Sequence, residues 1–226
     1  YALKDYKITN SSTVSSAILN SSGSNVSFLI KNNLRYSTLN RGFISKTGNY
    51  INFKNIIETP TSSNNGFVKN IVTLKKYFSG NNSIYGIQGK IGNIYSLNNN
   101  DILTDDKFSL GGRSLRGFDI YGAGPRNSRT SYIGGNNLAV LKLDYSYEIT
   151  RQSDFPFYLN IFNDYGLVWE NKTTPTQSDN NIRSSIGFGI KYYSPVGPIG
   201  FSWGFPIMDE EYDIKRMFLF SVGNLD

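Results

Sequence analysis

Pro198-Ile199-Gly200-Phe201-Ser202-Trp203-Gly204-Phe205 alternates without a fault, with Ile199, Phe201, Trp203 and Phe205 on one side and Gly200, Ser202 and Gly204 on the other. A side-chain period of two is that of a β-strand, and here it sets a bulky apolar face against a nearly bare one. The pattern spreads outward from this stretch. Over 183–193, Ile186, Phe188, Ile190 and Tyr192 oppose Arg183, Ser185, Gly187, Gly189 and Lys191. Over 155–166, Phe157, Leu159 and Ile161 oppose Tyr158, Asn160 and Asp164. Over 138–149, Ala139, Leu141, Leu143, Tyr145, Tyr147 and Ile149 oppose Lys142, Asp144, Ser146 and Glu148.

Segments 24–38, 48–60, 65–80 and 82–97 follow the same rule less tidily, and 1–9 and 214–225 complete a set of about ten strands. Several exceed the roughly 5–6 residues usual in soluble sheets and approach the ~9–11 of a membrane-crossing strand. The predicted fold is all-β, an antiparallel transmembrane β-barrel with lipid outside and water inside. A soluble β-sandwich would bury its apolar faces and rarely use so many long strands. Composition agrees: 16 Tyr and 15 Phe stand beside 22 Gly, while no apolar run nears the roughly 18 residues of a membrane helix. Connections at Asn40 to Lys46, Thr61 to Asn65 and Pro195 to Pro198 read as turns, and 170–181 and 208–214 as surface loops. The stretch 98–135 is far too long for a hairpin and is marked as functional. The chain opens at Tyr1 inside a strand, without a signal peptide, so a piece of a longer protein is expected.

The absence of Cys and His removes disulfides, thiolate zinc sites and the commonest general base. No catalytic residue, metal or cofactor is expected. The net charge of +6 is scattered instead of forming a basic stripe, so no nucleic-acid partner is predicted. Glu210, Glu211 and Asp213 cluster, but as acids on a solvated turn they lack a nucleophile or a calcium-loop spacing.

Within the long loop lies Gly111-Gly112-Arg113-Ser114-Leu115-Arg116-Gly117-Phe118. Gly111 and Gly112 permit backbone conformations closed to other residues, so the loop can fold tightly back. Folding inward puts Arg116 in the lumen, where its planar fork suits a carboxylate. Strand parity turns Asp164 inward, and Asp144 one strand earlier. In a wet lumen such a pair contributes about 1 kcal/mol, against about 3–5 kcal/mol for breaking one in a dry site; a wet lumen is expected.

The run Phe108 to Phe118, then Gly122-Ala123-Gly124-Pro125-Arg126 and Gly134-Gly135, resembles the loop signature of the BamA family, the outer-membrane β-barrel assembly factors of Gram-negative bacteria. Phe162 to Trp169, Ile182 to Gly189, Tyr193 to Ile199 and Phe218 to Gly223 follow in the family's order. The resemblance is specific over about 100–226 and rests on strand rhythm before that. It implies a barrel of about sixteen strands preceded by POTRA domains, of which residues 1–226 supply the C-terminal portion without the POTRA domains.

It also implies that the loop motif, Gly111, Gly112, Leu115, Arg116, Gly117 and Phe118, is braced by Asp164, with Asp144 as a second acid. Gly187 and Gly189 leave their strand flat, either to make room for the loop or to bend the wall. Phe218, Phe220 and Gly223 belong to a terminal strand forming a lateral seam, where a client strand adds by main-chain pairing. Asp226 stands where the family usually ends in an aromatic. The implied activity is non-enzymatic insertion of β-barrel proteins. The implied partners are the outer-membrane lipid bilayer, unfolded client β-barrel proteins and accessory assembly lipoproteins. TamA-like translocation, FhaC-like secretion and a passive outer-membrane pore remain alternatives.

Overall fold

The computed structural model describes residues 2–6, 23–40, 44–60, 66–98, 101–128, 131–150, 155–170, 180–194 and 197–223. The expected turn 61–65, most of the 170–181 loop, and Pro195, Val196 and Asp226 lie outside the described residues. In chain order the strands are β1 (Ala2–Tyr6), β2 (Gly23–Ser27), β3 (Leu29–Ser37), β4 (Gly48–Glu58), β5 (Phe67–Ser79), β6 (Ser83–Ser96), β7 (Gly117–Phe118) and β8 (Arg126–Ser128). They continue with β9 (Ser131–Tyr132), β10 (Asn137–Glu148), β11 (Phe157–Trp169), β12 (Arg183–Ser194), β13 (Gly197–Met208), β14 (Lys215–Arg216) and β15 (Phe218–Val222).

Nine of them form one sheet in the order β15-β13-β12-β11-β10-β6-β5-β4-β3, each antiparallel to its neighbour. Chain neighbours are sheet neighbours, as expected where most strands are joined by turns. β1 pairs with β2, which only Phe28 separates from β3. The expected strand 24–38 is therefore β2 and β3 together. The terminal segment differs from expectation: only Phe218–Val222 joins the wall, while Lys215 and Arg216 turn inward and pair with the loop strand β7.

The two faces of this wall follow the alternation. Leu74, Tyr85, Ile91, Leu141, Leu159, Ile161, Phe188 and Phe201 are exposed on the outer face, which suits a lipid contact. The inner face is buried at both ends. Towards the long loop, Phe67, Ile94, Leu138, Val140 and Val168 of the wall pack with Phe108, Leu110, Leu115, Phe118 and Ala123 of the loop. At the other end Tyr77, Ile84, Tyr158 and Tyr193 form a second cluster, with Leu39 and Ile44 of the β3–β4 connection packed against it. Lys46 follows them in and pairs with Glu148 at 2.9 Å. Between these clusters the inner face is polar, carrying Lys142, Asp144 and Lys191, and the wall is packed dry where the loop lies against it, where a wet lumen was expected.

One row of the outer face breaks the apolar pattern. Asn32, Asn55, Asn70, Asn93 and Asn137 are successive register partners across β3, β4, β5, β6 and β10. Their amides hydrogen-bond along the row: Asn32 Nδ2 to Asn55 Oδ1 at 3.2 Å, Asn55 Nδ2 to Asn70 Oδ1 at 2.8 Å, and Asn93 Nδ2 to Asn137 Oδ1 at 2.7 Å. A slip of one residue would turn the amides to the other face, so these bonds favour the observed register within β3–β4–β5 and between β6 and β10.

Two measurements test this wall. Leu141→Arg puts a charge on the lipid face and is expected to cost about 2–4 kcal/mol in reversible unfolding from bilayers, if it lies near the midplane. Asn93→Leu and Asn137→Leu should each destabilise the barrel, and the double variant should lose less than the two singles added, because both ends of one hydrogen bond have gone.

Candidate functional site

The loop between β6 and β10 is held inside the wall because the wall is cut away beneath it. A Cβ on Gly92 would stand 2.5 Å from the Phe108 ring, and one on Gly166 would stand 2.6 Å from Leu110 Cδ1. A Cβ on Gly204 would stand 2.6 Å from the Gly117 nitrogen, which is backbone and cannot swing aside. Gly117 itself has φ +94°, a conformation that L side chains rarely adopt. Glycine against glycine lets β7 lie directly on β13. Charges secure the near end of the loop: Lys107 Nζ reaches Glu170 at 2.9 Å, and Lys69 Nζ donates to the Asp106 carbonyl at 2.6 Å.

Arg116 immediately precedes β7 and is buried against the wall. Its Nε donates to Asp164 Oδ2 at 2.7 Å and its Nη2 to Asp164 Oδ1 at 2.6 Å. Nη1 and Nη2 also reach Asp144 at 2.9 and 3.2 Å. The Arg116 backbone N–H adds a bond to Asp164 Oδ2 at 3.1 Å. Asn160 Nδ2, at 3.2 Å from Asp144 Oδ1, helps hold that second acid. The guanidinium carbon sits 3.5 Å from the Phe162 ring centroid, a cation–π contact in a desolvated place. Arg116 is 6% exposed and Asp164 0%. Burial works against the charge of Arg116, but the hydrogen bond from Asp164 and the charges of Asp144 and Asp164 outweigh it and raise the guanidinium above its ordinary range.

The structure thus brings Arg116, Asp164 and Asp144 together, with Leu115 and Phe118 buried beside them in the apolar cluster. Gly111 and Gly112 close the tight loop: Ser114 Oγ donates to the Gly111 carbonyl at 2.8 Å, and the Gly112 N–H donates to the Phe118 carbonyl at 2.9 Å. The floor differs from the expectation placed on Gly187 and Gly189. The open space over Gly187 is filled by the Phe162 ring, and Gly189 abuts the β13 backbone at Phe201. Gly187 therefore serves the brace through Phe162, while Gly204 carries the loop. Parity had put Gly204 on the bare inner face, which was the signal available. Phe218 and Phe220 lie outward on β15, packed on Phe201 with ring centroids 6.4 and 5.2 Å away. Gly223 has φ +86° and its N–H still donates to the Pro198 carbonyl, so the strand bends there without losing its last bond.

A second buried ion pair overturns the reading of Asp213 as solvated. Arg183 Nε meets Asp213 Oδ2 at 2.9 Å, with side chains only 1% and 0% exposed. Glu210 and Glu211 stay nearer the surface. Arg183 faces inward by the parity of its strand, so the reasoning that gave Arg116 an acid partner applied to it equally.

A family model described as the Omp85 superfamily domain matches residues 1–225. The outer membrane protein assembly factor BamA of Nitratidesulfovibrio vulgaris is 26% identical over 171 residues, covering 73% of this chain and 21% of that protein. A SAM50-like protein of Schizosaccharomyces pombe is 31% identical over 137 residues, covering 58% of this chain and 29% of that protein. The BamA of Neisseria meningitidis is 26% identical over 138 residues, covering 49% of this chain and 17% of that protein. The chain therefore spans well under a third of these relatives. In fold it is similar to the crystal structure of BamA from Haemophilus ducreyi lacking POTRA domains 1–3, with a TM-score of 0.74 and 24% identity over 85% of this chain and 41% of that one.

The dryness of the brace sets its expected energetics. Arg116→Ala and Asp164→Ala should each cost about 3–5 kcal/mol in denaturant unfolding, as for a broken buried pair. Asp144→Ala should cost less, since its carboxylate keeps some solvent contact. Gly204→Ala should expel β7 and open the loop to protease, whereas Gly89→Ala, with nothing within 4 Å of the new carbon, should leave the digestion pattern unchanged.

Proposed function

This chain belongs to the Omp85 superfamily, and on that premise we propose that it forms the working wall of an outer-membrane protein assembly factor. Unfolded β-barrel clients are its substrates, and it inserts them without covalent chemistry by templating their strands at a lateral seam. The observation that carries this reading is the terminal edge of the sheet. β15 meets β13 through only five register pairs, from Ile199↔Val222 to Trp203↔Phe218, the shortest pairing between neighbours of the wall. A strand held by few main-chain bonds yields most readily to an incoming strand that offers the same donors and acceptors in register. Phe218, Phe220 and Val222 turn outward from that edge, so a strand added there emerges into lipid.

The loop packed on the inner wall supports the same reading over a passive pore. A porin-like channel needs a wide aqueous path, whereas here the loop packs an apolar cluster against the inner wall and seats a desolvated arginine on two carboxylates. The names of the relatives point the same way: the two BamA proteins are outer-membrane protein assembly factors. Accessory lipoproteins are further expected partners.

Proteoliposomes carrying the protein should speed the folding of an added, urea-unfolded outer-membrane barrel, scored by the gel shift of the heat-sensitive folded form. Arg116→Ala should slow client folding by about tenfold while its own barrel still forms. Exchanging the charges, Arg116→Asp with Asp164→Arg, should recover part of the rate. Equal client folding in protein-bearing and empty liposomes would sink the insertase reading. A large ion conductance unchanged by Arg116→Ala would instead favour a pore.

A further inference from the structure

The first residues of the terminal segment do not belong to the wall. The register of β13 with β15, carried onward, sets Arg216 opposite Phe205 and Lys215 opposite Pro206. The hairpin never closes that far. Gly204 donates its N–H to the Met217 carbonyl, and Pro198 accepts from the Gly223 N–H. The even-numbered residues of β13 therefore aim their main-chain groups at the terminal segment. The next such residue is Pro206, which has no N–H to give. The ladder ends there, and Lys215 and Arg216 pair with Phe118 and Gly117 instead. Further bonds extend this capture, from Asp119 N–H to the Ile214 carbonyl at 2.9 Å and from Ile214 N–H to the Gly122 carbonyl at 2.8 Å.

Both strands of this small inner sheet begin at a buried charge fixed to the wall. β7 follows Arg116, held by Asp144 of β10 and Asp164 of β11. β14 follows Asp213 by two residues, and Asp213 is held by Arg183, the first residue of β12. The turn before β14 is bound into the same knot. Asp213 Oδ2 accepts the Glu210 N–H at 2.9 Å, Arg183 Nη1 donates to the Asn181 carbonyl at 2.6 Å, and Asn181 Nδ2 donates to Glu210 Oε1 at 2.8 Å. A buried charge that loses its partner is left uncompensated, so this pair stays closed as a unit.

We propose that Arg183 and Asp213 are positioning residues for the seam: their pair holds residues 214–216 against the loop, keeping the terminal hairpin split at Pro206. The split shortens the pairing of β15 with β13 to its far half, and it ties the terminal strand to the loop that Arg116 braces. The arginine brace and the seam then act as one mechanical unit. A weakly held β15 is easier to exchange for a client strand, so the latch rests on, and adds to, the insertase reading.

The chain contains no cysteine, so engineered pairs can be read without background. Asp119→Cys with Ile214→Cys reports capture of the segment by the loop. Phe205→Cys with Arg216→Cys reports a zipped hairpin. In membranes, without any client, the 119/214 pair should oxidise readily and the 205/216 pair should not. Adding Asp213→Asn should slow 119/214 oxidation by about tenfold, and the swap Arg183→Asp with Asp213→Arg should restore part of it. Should Asp213→Asn yield no folded barrel, Arg183→Lys keeps the charge without the fork and should show a smaller loss. Unchanged 119/214 oxidation in a folded Asp213→Asn or Arg183→Lys protein overturns the latch, whatever the insertase assay gives. Client folding by the oxidised and reduced 119/214 protein then tests its role at the seam: folding at least as fast when locked supports it, and slower folding when locked refutes it.

Discussion

Arg116 is a charge that the barrel cannot leave alone. Inside a wall facing lipid on one side and a packed loop on the other, a guanidinium finds little water to solvate it. Two carboxylates from adjacent strands and an aromatic face replace that water. The arrangement makes sense only if the loop is inside. Withdrawing the loop would strand Asp164, which is fully buried, without its partner. The loop's place against the wall is tied to satisfying this one cation.

The cost of holding a loop inside a barrel is met by shape as much as by charge. Gly92, Gly166 and Gly204 remove side chains where Phe108, Leu110 and the β7 backbone must sit. Because β7 then lies on β13, it can offer main-chain partners to β14 just where Pro206 has none to give. Interior packing and the state of the outer edge are therefore coupled. A change at the brace reaches the seam through two hydrogen-bonded strands and a second ion pair, a contiguous physical path rather than one inferred from proximity.

Legibility in the sequence followed the reach of each physical rule. Alternation is local, so the strands and their lipid faces could be read directly, as in Ile199 to Phe205. Parity is local too, and it turned Asp164, Asp144, Arg183 and Gly204 inward. Choosing partners is not local. Asp213 looked like one of three acids on a turn because nothing nearby in the chain shows that Arg183 comes to rest 2.9 Å away. Gly187 and Gly189 were candidates for the loop's floor or for a bend in the wall, and only the close approach of Gly117 to Gly204 showed where β7 rests. The asparagine row was hidden for the same reason, since Asn32, Asn55, Asn70, Asn93 and Asn137 have no regular spacing along the chain. They share a line only after four strand registers are set.

The sequence by itself determined the all-β architecture, the outward apolar face and the inward side of Asp164 and Asp144, while the resemblance pointed to Arg116 as their partner. Period-two patterning and the need to neutralise a buried charge act on every chain alike. Tertiary structure alone decided that the seat of the loop is dry, that the terminal segment divides between wall and loop at Pro206, and that a second arginine–aspartate pair closes the division. These depend on which surfaces meet once the sheet has curved round its loop, a distance that no spacing along the chain encodes.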